Sequence, residues 1–207
     1  MRNLPITILC ISLLCFFMTD RHSFSIEISH ENDEAELLTS FLSSNSKASN
    51  PTFFGDDLAI GTYTNESGLW NIGPGIVLSS GNVKNYEDGP NTNESYSTDL
   101  ENPGDSDLSA LSGYQTYDAS KFGFDFTASQ SSISFDFVFG TEEYDEYIGT
   151  PFNDTFGAWI TDSSGTKTQL SFDYNNNPIT INSAFMKKSS GTELDGSTGL
   201  LTTQANV

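Results

Sequence analysis

With 207 residues and a formal charge of −20, the chain is long enough for one large domain, and 16 phenylalanines supply much of its core. The charge argues against nucleic acid and anionic membrane surfaces as partners, since both would repel it. It suits an exported protein, or one whose carboxylates are neutralised by bound cations.

Residues 1–25 read as a secretory signal peptide. Arg2 supplies the positive start. Ile6–Met18 is mostly apolar but shorter than the roughly 20 residues a spanning helix needs. Ser23 and Ser25 are the small residues before a cut after Ser25, although Asp20, Arg21 and His22 make this region unusually charged. An uncleaved anchor or buried helix is the plainer alternative. Both cysteines, Cys10 and Cys15, lie inside the segment, so its removal leaves no disulfide framework despite export. Leu9 and Leu14 stand where a lipid-anchoring signal needs a small residue. Both arginines, Arg2 and Arg21, leave with the signal but only one acid, Asp20, does. The remaining domain, 26–207, therefore needs another staple, and calcium is the obvious one.

Asn32 to Ser46 carries the one good helix pattern. Asp33 can cap it, Glu34 and Glu36 suit its positive end, and Leu37, Leu38, Phe41 and Leu42 form an apolar stripe. After Asn50-Pro51 the pattern changes to short strands with turn-rich joins: Leu58–Tyr63, Gly75–Ser80, Phe122–Thr127, Ile133–Phe139, Thr155–Thr161, Gln169–Asp173 and Pro178–Ser183. This predicts an all-β fold, a jelly-roll-like antiparallel β-sandwich with one short N-terminal helix. Gly81–Gly113 is long, polar and acidic, a solvated loop over most of Lys84–Ser97. Asn65, Asn93 and Asn153 each begin an N-x-Ser/Thr sequon.

The organising stretch is Ser131–Thr161. Ile133, Phe135, Phe137 and Phe139 alternate with polar or smaller residues, and Phe156, Ala158 and Ile160 share a face of a second strand. If these strands are neighbours, Glu142, Glu143, Asn153 and Asp154 converge at their inner ends, with Asp105, Asp107 and Asp118 adding oxygens across the fold. Calcium takes six to eight oxygen ligands, and this set provides them without EF-hand spacing and without Cys or His to favour zinc. The plainer reading is an exposed acidic turn. Yet Glu142, Glu143, Asp145 and Glu146 crowd four acids into five residues, and they repel unless a cation or solvent intervenes.

Two carboxylates are also enough for glycoside hydrolysis. Glu142 and Glu143, as sequence neighbours, would point to opposite faces if extended. Once the signal is gone only His30 remains, no Cys is left, and no G-x-S-x-G elbow occurs, so no catalytic residue is assigned. Tyr144 and Tyr147, inside the acidic loop, are the ligand-binding candidates. Trp70 could also stack on a sugar, whereas Trp159 reads as core on the opposite sheet face.

Three motifs, Gly73–Asn82 (GPGIVLSSGN), Gly104–Ser120 (GDSDLSALSGYQTYDAS) and Ser134–Ile160 (SFDFVFGTEEYDEYIGTPFNDTFGAWI), resemble the choice-of-anchor L domain in order and spacing, over roughly Asp33 to Leu201. The resemblance implies an exported, mainly bacterial, β-rich surface domain with no established enzymatic activity. The family's acidic and Asn positions fall on Glu142, Glu143, Asn153, Asp154, Asp105, Asp107 and Asp118; reading them as calcium ligands comes from their chemistry. Glu193–Thr203 looks like the lead into closing strands, so the domain is expected to be C-terminally incomplete at Val207, the alternative being a short form with an exposed sheet edge. The function expected is a secreted or cell-surface, non-catalytic binding or adhesion module. It would be calcium-stabilised, with an extracellular glycan or protein as partner, no nucleic acid and no membrane insertion after signal removal. A secreted carbohydrate-active hydrolase is the alternative.

Overall fold

The computed structural model describes residues 3–9, 26–42, 47–66, 68–86, 98–141, 144, 147–173, 175–183, 186–188 and 196–206. In chain order the elements are β1 (Asn3–Leu9), β2 (Ile26–His30), α1 (Glu34–Phe41), β3 (Lys47–Phe54), β4 (Ile60–Asn65), β5 (Gly75–Leu78) and α2 (Ser106–Ser112). They continue with β6 (Lys121–Thr127), β7 (Ser132–Phe137), β8 (Gly140–Thr141), β9 (Thr155–Thr161) and β10 (Lys167–Gln169). The last are β11 (Ile179–Thr180), β12 (Lys187–Lys188), β13 (Gly196–Ser197) and β14 (Leu201–Asn206).

Among the described residues the fold is all-β with two short α-helices, and every strand pairing described is antiparallel. Its largest sheet has the order β10-β9-β1-β6-β3, with β11 also pairing β9. Smaller sheets are β12-β13-β8, β14-β7 and β2-β4-β5. Proline is tolerated at the edge of a sheet, and β3, which carries Pro51, is an edge strand with a register shift between Ser49 and Thr52.

The expected helix is shorter than its pattern. Asp33 caps it as read, accepting from the N–H groups of Ala35 at 2.9 Å and Glu36 at 3.1 Å. The backbone turns extended at Leu42, and residues 43–46 lie outside the described residues. The stop frees the chain to enter β3 at Lys47, and the polar Ser-Ser-Asn-Ser run that follows adds little helix propensity to oppose it. α2 was hidden inside the long acidic segment; Asp105 caps it and Gly113 ends it in the left-handed region at φ 78°.

One expectation needs correcting. The strands flanking the acidic loop are not neighbours: β7 pairs with β14, whereas β9 lies in the large sheet. They meet face to face, with the Phe137 and Phe156 rings 4.5 Å apart. Apolar alternation shows which residues face a core but not which strand is hydrogen-bonded to which. The main core joins Phe122, Phe124, Phe126, Phe137, Phe139, Phe156 and Ile160, all buried, and α1 adds Leu37. Ile133 and Phe135 are only partly buried against it. A second small cluster, Ile26, Ile28, Val77 and Val83, holds β2 to β5 with Tyr63 and Trp70 packed on it.

Candidate functional site

The loop from β8 to β9 carries the expected site. Glu142, Glu143, Asp145 and Glu146 lie outside the described residues. Tyr144 is half-buried. Its hydroxyl donates to the Met186 carbonyl at 3.1 Å, and its ring lies so close to Gly196 that a Cβ there would come within 2.5 Å. Tyr144 thus fastens the start of the loop to β13 rather than facing solvent with a free ring. Tyr147 begins a tight turn, its carbonyl accepting from Thr150 N–H at 3.0 Å and Thr150 hydroxyl at 2.7 Å. Its ring meets Phe152 edge-on at 5.4 Å, and Phe152 and Ile148 are 62% and 45% exposed. The loop tip is therefore an aromatic and apolar knob.

Asn153 anchors the other end. Its side-chain amide donates to the Ser112 carbonyl at 2.9 Å, at the end of α2, and its Oδ1 accepts from Asn182 N–H at 3.1 Å. One lone pair of Oδ1 remains for a ligand. The backbone carbonyl of Asp154 accepts from Ile181 N–H at 3.1 Å. The Asp154 residue keeps some accessible surface, but its carboxyl is enclosed, and burial pushes its pKa up to about 6. Among the described residues nothing donates a hydrogen bond to that carboxyl. An enclosed carboxylate without a donor fits one ligand of a cation.

The other expected ligands are engaged elsewhere. Asp105 caps α2, accepting from Asp107 N–H at 2.8 Å and Leu108 N–H at 3.3 Å, and pairs with Lys121 at 2.6 Å. Burial raises its pKa, but the Lys121 and backbone hydrogen bonds outweigh that and hold it below the usual range. Asp107 pairs with Lys167. Asp118, at φ 48°, accepts from Leu100 N–H at 3.2 Å and Asn102 N–H at 2.6 Å, closing the chain that enters α2. Among the described residues no three acids or histidines are grouped to hold a metal. Of the sequons, Asn65 donates to the Ile72 carbonyl at 2.8 Å, Asn153 is tied as above, and Asn93 lies outside the described residues.

The two lysine pairs border a cleft of about 210 Å³ that no sequence pattern marks. Lys121 Nζ sits 5.2 Å from the Phe54 ring centroid, and Lys167 Nζ sits 4.7 Å from that of Trp159. Trp159 is buried, as expected, and shares this face with Lys167. Each ammonium is held between a carboxylate and an aromatic face. The cleft is smaller than ordinary ligand pockets of about 300–1,000 Å³, and both cations are already satisfied, so it reads as a clamp fastening α2 to the large sheet. The only sequence hint was basic residues at strand ends in so acidic a chain.

Fold and site together define an all-β module with no assembled catalytic group among its described residues and a loop-borne knob at one end. The chain belongs to the Choice-of-anchor L domain family, which matches residues 26–207. That membership makes it a surface-associated, non-catalytic type of module. Neither among curated proteins nor among solved structures does any match it. No helix among the described residues is long and apolar enough to cross a membrane.

Proposed function

We propose that this chain is a secreted or cell-surface adhesion module whose loop tip, Tyr147, Ile148 and Phe152, binds an extracellular glycan or protein, and that calcium holds the loop in shape. The observation that carries this reading is the enclosed Asp154 carboxylate, without a donor among the described residues, at the root of a loop whose tip is exposed and apolar. Asp154 and Oδ1 of Asn153 would supply two oxygens, and Glu142, Glu143, Asp145 and Glu146, the acids of the same β8–β9 loop, would complete the set. Calcium bound there neutralises crowded carboxylates and draws the loop onto β9. Nothing supports the hydrolase alternative.

The test is binding of the purified chain to arrays of extracellular glycans and matrix proteins, with calcium and with a chelator. Saturable binding that needs calcium and falls at least tenfold in Phe152→Ala is the expected result. Binding unaffected by both the chelator and Phe152→Ala would remove the loop from the recognition surface. Turnover of chromogenic glycosides, abolished by Glu143→Gln, would overturn the non-catalytic reading.

A further inference from the structure

The turn that carries the exposed knob is pinned from within. The Thr150 hydroxyl donates to the Tyr147 carbonyl and accepts from Phe152 N–H at 3.2 Å. Asn182 clips both sides of the turn: its Oδ1 accepts from Gly149 N–H, and its own N–H donates to Asn153 Oδ1. Gly149 stands at φ 79°, a conformation glycine adopts without strain. The turn therefore holds its own backbone in place and leaves Ile148 and Phe152 outside. A further exposed ring lies on the segment tied to the knob's root. Ser112, whose carbonyl receives the Asn153 amide, also accepts at Oγ from Tyr114 N–H at 3.1 Å, and Tyr114 is exposed.

Shape and charge together decide the kind of partner that fits. A pinned turn loses little freedom on contact, and aromatic and aliphatic side chains presented this way act as anchors in protein interfaces. Ile148 has no ring to stack on a sugar, so a glycan would use only part of the knob and a polypeptide can use all of it. From Glu142 to Asp154 the loop sequence holds five acids and no Lys or Arg, and one bound calcium would leave −5 + 2 = −3. Lys187 and Lys188 of β12 are separated from β8, where the loop starts, by β13. A second copy of this chain, itself at −20, would bring like charge to the contact.

We infer that the knob docks on a protein partner whose surface carries lysines and arginines around exposed apolar side chains. This rests on the loop tip being the recognition surface and names the class of partner that the tip takes. Ile148, Phe152 and Tyr114 meet the partner's apolar side chains. The Tyr147 and Phe152 rings offer faces to its cations, and the loop's negative charge draws those cations in.

The probe is a synthetic peptide of alternating lysine and leucine, titrated against the full chain in calcium. A lysine–serine peptide, a glutamate–leucine peptide and neutral oligosaccharides are the comparisons. The lysine–leucine peptide should bind saturably, more weakly as salt is raised, and the lysine–serine peptide about tenfold or more less tightly. The glutamate–leucine peptide should not bind. Phe152→Ser combined with Ile148→Ser should weaken lysine–leucine binding by about tenfold or more, whereas Leu58→Ser, at an exposed apolar residue on another segment, should not. Asn182→Ala keeps the rings but frees the turn, and it should also weaken binding. Equal binding of the lysine–leucine and lysine–serine peptides would mean charge attraction alone, and equal binding of the glutamate–leucine peptide would mean apolar adsorption; either overturns the proposal. If the oligosaccharides bind through Phe152 and no peptide does, the protein partner falls and the loop tip stands as the recognition surface. Lysine–leucine binding indifferent to both Phe152 and Ile148 would remove the tip as well. Self-association in the ultracentrifuge that Phe152→Ser abolishes would replace the basic partner with a second copy.

Discussion

Phe137 and Phe156 pack ring to ring, 4.5 Å apart with an interplanar angle of 39°, and each comes from a different sheet. This contact sets the distance between the two strands that flank the acidic loop, and so fixes where the loop starts and ends. Phe156→Ala is expected to cost about 3–5 kcal/mol, as expected for a fully buried phenylalanine. Urea unfolding of both single alanine variants and the double variant should give a coupling of roughly 0.5–1.5 kcal/mol. Strict additivity would show that the rings do not support each other.

Trp159 lies over Gly157 on the same face of β9, so close that a Cβ at 157 would be 2.0 Å from the indole ring. Gly157→Ala must therefore move the indole, and with it the Lys167 ammonium stacked above. A loss of about 1–3 kcal/mol is expected, together with a changed tryptophan emission spectrum. An unchanged spectrum at unchanged stability would refute the close approach.

Asp105 both caps α2 and pairs with Lys121, and the two roles separate by substitution. Asp105→Asn keeps a capping oxygen and loses the charge; Asp105→Ala loses both. Denaturation should rank them wild type, then Asn at about 1 kcal/mol less, then Ala at about 2 kcal/mol less. Because the pKa in the fold is depressed, the contribution of Asp105 is present above the unfolded carboxylate pKa. It is lost as pH falls through the lower, folded value. Equal stability of the Asn and Ala variants would remove the capping role.

Much of this fold is legible in sequence, and the gaps have physical reasons. Phe122–Thr127 and Thr155–Thr161 are strands where alternation placed them, since one apolar face must be buried. β3 is not legible, because Asn50-Pro51 reads as a break although an edge strand tolerates it. α2 is not legible either, because only Leu108 and Ser112 are buried, too few to make a stripe. Asp105, Asp107 and Asp118 were legible as oxygen donors. Their partners, Lys121, Lys167 and two backbone N–H groups, were not, since these come from elements brought together only by folding.

Asp154 gives the last prediction its pH dependence. In the metal-free fold its pKa stands at about 6, above its unfolded value of 3.8. Between these values the folded state holds the proton more firmly than the unfolded chain does, so this residue's contribution to stability falls as pH rises through that window. A cation reverses the preference by stabilising the ionised form. Calcium at 100 times Kd adds about 2.7 kcal/mol, or roughly 5–10 °C in melting temperature for a chain of this size. Calcium should therefore stabilise at pH 7.5, more than magnesium does at equal concentration, and should lose most of its effect at pH 4.5. Asp154→Asn should flatten the metal-free pH slope and blunt the calcium shift, whereas Glu27→Gln on the exposed side of β2 should do neither. Thermal melting at the two pH values, with calcium and with chelator, measures all of this. Coincident curves at pH 7.5 would mean that the loop carboxylates are neutralised by solvent alone, and calcium would be dropped as the element that holds the loop to β9.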